Sequence, residues 1–182
     1  SKTPLSTYRP FYAGWDRNDT QTSGGVCIHH PAGDVKKIST YNITPANSNC
    51  FAGRPNNYFY KINWIETTNG HGITEGGSSG SALFNNQKRV IGQLYGSESC
   101  TNTNCSDPET DISNYGKLFA SWNLGNNSNG RLRDWLDPNN NTFVLDGIEG
   151  CNEGTGLNFS LNNTIETGTN ITYSALNTIE AN

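Results

Sequence analysis

The sequence predicts an all-β fold, and three observations predict it. The 182 residues include Gly 20 and Pro 7 among many Asn, Ser and Thr, a composition of turns joining short strands. Only 32% of the residues are hydrophobic, and runs of strong helix formers are few. One stretch, residues 58–65, alternates cleanly: Tyr58, Tyr60, Ile62 and Trp64 on one face, Phe59, Lys61, Asn63 and Ile65 on the other.

In chain order, residues 9–15 (Arg-Pro-Phe-Tyr-Ala-Gly-Trp) and the apolar Val26-Cys27-Ile28 are predicted strands, followed by the alternating strand at 58–65. Residues 69–81 hold too many glycines for a strand or helix interior and are predicted to form a loop. That loop feeds a hairpin, with strands at 82–84 and 89–95 and a turn at 85–88. After a polar excursion from Ser97 to Ser113, a strand is expected at 115–122. One short helix is expected near 131–137, from the spacing of Leu132, Trp135 and Leu136, with Pro138 ending it. From Cys151 the texture changes: Asn163-Thr164-Ile165-Glu166 recurs as Asn177-Thr178-Ile179-Glu180. The expected division is a β domain over residues 1–149 and the beginning of a β-rich repeat or stalk module over 150–182.

The net charge of −4 leaves no basic stripe for phosphates, so nucleic acid and anionic membrane are not expected partners. No apolar run approaches the ~20 residues that span a bilayer. The N-terminal Ser-Lys-Thr-Pro has no signal-peptide core and the chain has Met 0, which fits a processed product or a fragment. Five cysteines, Cys27, Cys50, Cys100, Cys105 and Cys151, lie among Gly, Ser and Asn, a pattern of disulfides in an oxidising compartment, and the expected location is secreted or at the cell surface. No second ligand pair follows Cys100 and Cys105, so zinc is not predicted. No cofactor is expected, and Asp107, Glu109 and Asp111 read as a solvated loop before they read as a calcium site. Sequons such as Asn42-Ile-Thr and Asn170-Ile-Thr are expected by chance in this composition. The four tryptophans, Trp15, Trp64, Trp122 and Trp135, are expected to pack in the core or at its rim.

A serine hydroxyl attacks an amide only from a turn that exposes its oxygen beside a general base, with backbone N–H groups aimed at the developing oxyanion. Gly77-Ser78-Ser79-Gly80-Ser81 fits Gly-x-Ser-Gly-[Gly/Ser], with Ser79 in the attacking position. The same stretch also fits the Gly-x-Ser-x-Gly elbow, which would select Ser78. That elbow needs a following helix and a later histidine. A hairpin is predicted instead, and His71 is the last histidine, so Ser79 is preferred.

The chain resembles bacterial lysyl endopeptidases, of the trypsin superfamily, over roughly residues 1–149. The match runs in order through Ala13-Gly14-Trp15-Asp16, Ile28-His29-His30-Pro31, Lys36-Lys37-Ile38-Ser39, Thr74-Glu75-Gly76-Gly77-Ser78-Ser79-Gly80-Ser81, Gly92-Gln93-Leu94 and Arg131-Leu132-Arg133-Asp134-Trp135-Leu136-Asp137-Pro138. The resemblance implies the second antiparallel β-barrel of a two-barrel peptidase that hydrolyses peptide bonds through an acyl-enzyme at Ser79. Gly77 and Ser79 N–H groups would form the oxyanion hole, and Leu94, Tyr95 and Gly96 would pair with the backbone of a protein or peptide substrate. In such enzymes the triad His and Asp precede the Ala-Gly-Trp-Asp segment, so they are expected on a first barrel outside this chain, which alone should be inactive. The alternative, a local base from His29 or His30 with Asp34, gives way to structural or substrate-rim roles for these histidines, and His71 is a loop residue on the same reading.

The sequence departs from the family's pattern where specificity is read. Lysyl endopeptidases carry an Asp two residues before the Tyr-Gly of the late strand, where this chain has Ser113; a His after Gly-Gln-Leu is Tyr95 here. A neutral serine does not compensate a buried ammonium, so lysine preference is not expected unless Asp111 substitutes. Cys100 matches a cysteine that bonds to the N-terminal segment in those enzymes, which would account for the odd count. A pseudo-protease or binding module of a secreted protein is the rival reading.

Overall fold

The computed structural model describes residues 6–48, 55–97 and 112–149. Their strands are β1 (Phe11–Tyr12), β2 (Trp15–Asp16), β3 (Gly25–His29), β4 (Lys37–Tyr41), β5 (Ala46–Asn47), β6 (Phe59–Asn63), β7 (Glu66–Thr67), β8 (Gly70–His71), β9 (Ala82–Asn85), β10 (Val90–Ser97), β11 (Ile112–Lys117), β12 (Val144–Leu145) and β13 (Ile148–Glu149). Two short helices follow β11: α1 (Leu118–Asn123) and α2 (Arg133–Leu136). The fold is all-β, as the composition predicts.

The main sheet runs β4-β3-β9-β10-β11-β6-β5 with every neighbouring pair antiparallel, and β2 joins β10 in parallel while pairing with β12. The sheet curls until its ends meet. β4 and β5 are consecutive in the chain, and just beyond β6 the Ile65 N–H donates to the Thr40 carbonyl at 3.0 Å, so one stretch of chain covers the outer edge of β6. Curling satisfies backbone groups that an open edge would leave unpaired.

The alternation at 58–65 is explained by this closure. Tyr60, Ile62 and Trp64 point inward and join Cys27, Tyr41, Leu83, Ile91, Leu94 and Tyr115 in the barrel core, each almost fully buried. A second core lies outside the barrel, where Trp15, Leu118 and Trp122 pack with Val90, Leu132 and Leu145. The Trp15 and Trp122 rings are 4.7 Å apart, and the Arg17 guanidinium lies 3.8 Å from the Phe143 ring.

Several elements differ from expectation. Residues 9–15 do not form one strand, because β1 pairs with β13 whereas β2 pairs with β10 and β12, and the chain bends between the two partners. The strand expected at 115–122 ends at Lys117 and turns into α1. Leu118 and Trp122 are one helical turn apart, so both reach the Trp15 cluster; in six residues their even spacing also satisfies strand alternation, which is why the pattern misleads. The helix near 131–137 is present as α2, but Trp135 is 60% exposed and its indole N–H caps the Ser128 carbonyl at 2.7 Å. The loop at 69–81 opens with a small hairpin, β7 with β8, at its base. Cys50, Cys100, Cys105 and Cys151, the cluster Asp107, Glu109 and Asp111, the sequon at Asn170 and the repeat module at 150–182 lie outside the described residues.

Candidate active site

The serine loop is built from two consecutive turns, each closed by a backbone hydrogen bond. Ser78 N–H donates to the Glu75 carbonyl at 3.0 Å, and Ser81 N–H donates to the Ser78 carbonyl at 3.1 Å. Each turn has a glycine at its third position with positive φ, +97° at Gly77 and +81° at Gly80, as a type II turn requires. A Cβ on Gly77 would also stand 3.0 Å from the His30 carbonyl. The glycines are therefore required by the backbone path, and that path leaves Ser79 exposed at the second position of the second turn.

Ser78 and Ser79 have opposite environments despite their identity and adjacency. Ser78 is 1% exposed, and its hydroxyl lies 2.8 Å from His29 Nδ1. The Ser79 hydroxyl has no hydrogen-bond partner among the described residues.

The N–H groups of Gly77 and Ser79 are likewise without partners among the described residues, while the carbonyls of the same peptide units are held. Ala32 N–H donates to the Gly76 carbonyl at 2.7 Å, and Ser81 N–H to the Ser78 carbonyl. Because a trans peptide is planar with C=O and N–H opposed, fixing each carbonyl fixes the direction of the N–H on its far side. Two donors are thus free and pre-oriented at the exposed serine, an arrangement that can hold a developing negative charge without reorganising.

The C-terminal end of the loop is anchored to the barrel. Gly80 N–H donates to the Leu94 carbonyl at 2.8 Å and Leu94 N–H to the Ser81 carbonyl at 2.9 Å. Leu94 therefore sits with its side chain in the core and its backbone against the loop. Tyr95, 62% exposed, lies where the β10–β11 register slips between Leu94 and Gly96, and its ring meets Phe59 edge-on at 5.5 Å. Gly96 follows, half-buried and opposite Asn114.

Ser113 is fully buried inside the barrel. Its Oγ accepts the Trp64 indole N–H at 2.9 Å and lies 2.6 Å from the Thr74 hydroxyl, which ties β11 to the start of the serine loop. Asp111, its possible substitute, lies outside the described residues.

None of the three histidines hydrogen-bonds to Ser79. His29 is buried against Ser78 and Ser39, His30 lies 3.0 Å from the Asp34 carbonyl through Nδ1, and His71 contacts the Gly72 carbonyl. Asp34 pairs with Lys37 at 3.2 Å on the surface. Burial, then the neighbouring His30, hold the His29 imidazole below its ordinary 6.5, with Glu75 acting weakly in the other direction. The His29–Ser78–Ser39 contact had no signature in the sequence, since the three residues come from β3, the loop and β4.

Residues 1–115 match the family described as lysyl endopeptidase, C-terminal domain. The chain belongs to that family. The match covers β1 to β10, the serine loop and most of β11, which is the part of the barrel that carries the geometry above. A lysyl endopeptidase C-terminal domain relates this protein to proteases.

Proposed function

We propose that this chain carries the nucleophile and oxyanion hole of a trypsin-like serine endopeptidase. The observation that carries the reading is the exposed Ser79 beside the N–H groups of Gly77 and Ser79, which have no partner among the described residues and whose peptide units are pinned through their carbonyls. In the reaction, Ser79 Oγ attacks the scissile carbonyl carbon while a general base takes its proton. The carbonyl oxygen becomes an oxyanion held by the Gly77 and Ser79 N–H groups, an interaction typically worth ~3 kcal/mol per donor in the transition state. Collapse of the tetrahedral intermediate breaks the C–N bond, the base returns the proton to the leaving amine, and water then hydrolyses the acyl-enzyme. No cofactor enters these steps.

None of the three histidines bonds to Ser79, which supports a base and its orienting Asp from sequence outside this chain, on a first barrel of the same polypeptide. Tyr95 and Gly96 at the slipped register of β10 are the positions at which a substrate backbone would pair, with Leu94 supporting them from the core. The specificity position at Ser113 is neutral and already committed to Trp64 and Thr74, so an unpaired lysine ammonium would find no counter-charge in it. The turn-rich, cysteine-bearing composition supports a secreted or cell-surface protein.

The test is to express the complete reading frame that encodes this chain and treat it with a fluorophosphonate probe, mapping the label by peptide analysis. Label on Ser79 that disappears in Ser79→Ala supports the assignment. A folded protein that takes no label has no working base, and a pseudo-protease or binding role then replaces it.

A further inference from the structure

Beneath the serine loop, a chain of hydrogen bonds runs through the barrel wall. Ser39 Oγ donates to the Ile73 carbonyl at 3.0 Å and accepts the Ile73 N–H at 3.2 Å. A hydroxyl has one proton, so toward His29 the Ser39 oxygen accepts, and His29 Nε2–H is the donor across 3.0 Å. Nδ1 of the neutral ring is then a lone pair and accepts the Ser78 O–H at 2.8 Å, while the Ser78 oxygen faces the Glu75 N–H at 3.4 Å. Every proton has a place, and the tautomer follows from the partners. His29 is 3% exposed, Ser39 2% and Ser78 1%, so water does not replace any of these bonds.

From this geometry we infer that His29 is a positioning residue for the serine loop, acting through Ser78 on the residues to either side of it. Ser78 lies between Gly77 and Ser79 in the chain, so its side-chain anchor fixes the point about which both free N–H groups and the Ser79 hydroxyl are aimed. The two flanking glycines make the loop conformationally free, and a rigid strand residue is what removes that freedom. His29 does not touch substrate. The inference rests on Ser79 being the nucleophile.

The test uses the complete reading frame, with Ser78→Ala, His29→Leu and His29→Asn, the last because an Asn Oδ1 stands near the place of Nδ1 and can accept the Ser78 O–H. Circular dichroism and thermal melting establish which variants fold, and kcat and KM are measured on a peptide substrate along with the rate of fluorophosphonate labelling. Folded Ser78→Ala and His29→Leu are expected to lose roughly 10–100-fold in kcat and labelling rate with KM nearly unchanged, the scale of a misaimed oxyanion hole, while His29→Asn recovers part of the loss. Should His29→Leu fail to fold, Ser78→Ala, which removes a single oxygen, decides alone. Wild-type kcat in folded Ser78→Ala overturns the inference. Labelling that survives Ser79→Ala instead overturns the nucleophile assignment, so the two failures are distinguishable.

Discussion

The Trp64 indole N–H donates to Ser113 Oγ across 2.9 Å, and the Thr74 hydroxyl reaches the same oxygen at 2.6 Å. Two residues distant from it in sequence thus meet at one buried serine, where the barrel core ends and the serine loop begins. Ser113→Ala leaves the indole N–H buried without its partner, which costs about 1–3 kcal/mol. Urea unfolding is expected to show a lower midpoint with an unchanged slope, since the surface exposed on unfolding is the same.

Replacing Gly77 by Ala places a Cβ at φ +97°, 3.0 Å from the His30 carbonyl. The left-handed conformation alone costs about 1–2 kcal/mol for an L-residue. Gly80→Ala shares the backbone cost but meets nothing within 4 Å. The expected order of thermal stability is wild type, then Gly80→Ala, then Gly77→Ala, and a reversed order in melting experiments would show that contact at Gly77 does not matter.

The buried His29 makes stability depend on pH. Its folded-state value lies below 6.5 because burial and His30 disfavour the charged ring, while Glu75 only partly opposes them. Between that lowered value and 6.5 the unfolded chain binds a proton that the folded chain does not, so stability is fully present above 6.5 and falls as the pH drops through that window. Nitrogen-15 NMR of the imidazole is expected to show the Nε2–H tautomer with a titration midpoint below pH 6.5; a midpoint at or above 6.5 would contradict the buried, hydrogen-bonded ring.

Lys117 is 1% exposed, and its ammonium lies 2.6 Å from Asp19, 2.6 Å from the Asn47 side-chain oxygen and 4.5 Å from the centre of the Tyr60 ring. Asp19 is 40% exposed, so part of the attraction is screened. Asp19→Ala strands the buried ammonium and is expected to cost about 1–2 kcal/mol, less than a fully buried pair would. Lys117→Met removes the charge with its need for a partner and is expected to cost less than Asp19→Ala, as chemical denaturation of the two variants would test.

Much of this protein was legible one segment at a time. The alternation at 58–65 put Tyr58, Tyr60, Ile62 and Trp64 on one face, the hairpin of β9 and β10 followed from its turn, and the glycines around Ser79 announced a loop that needs backbone freedom. Each is a local property, set by side-chain period or by the steric freedom of a single residue. The six residues of α1 were not legible, because Leu118 and Trp122 suit a strand or a helix until Trp15 is present to receive both.

Sequence by itself determined the all-β class and the glycine-bounded turn at Ser78 and Ser79, because turn chemistry and pleat period act within a few residues. Tertiary structure alone decided that Ser78 is buried on His29 while Ser79 is exposed, and that β5 covers the edge of β6. Those outcomes depend on which residues of β3 and β4 face the barrel interior beneath the loop, and that register is set by contacts between segments far apart in the chain.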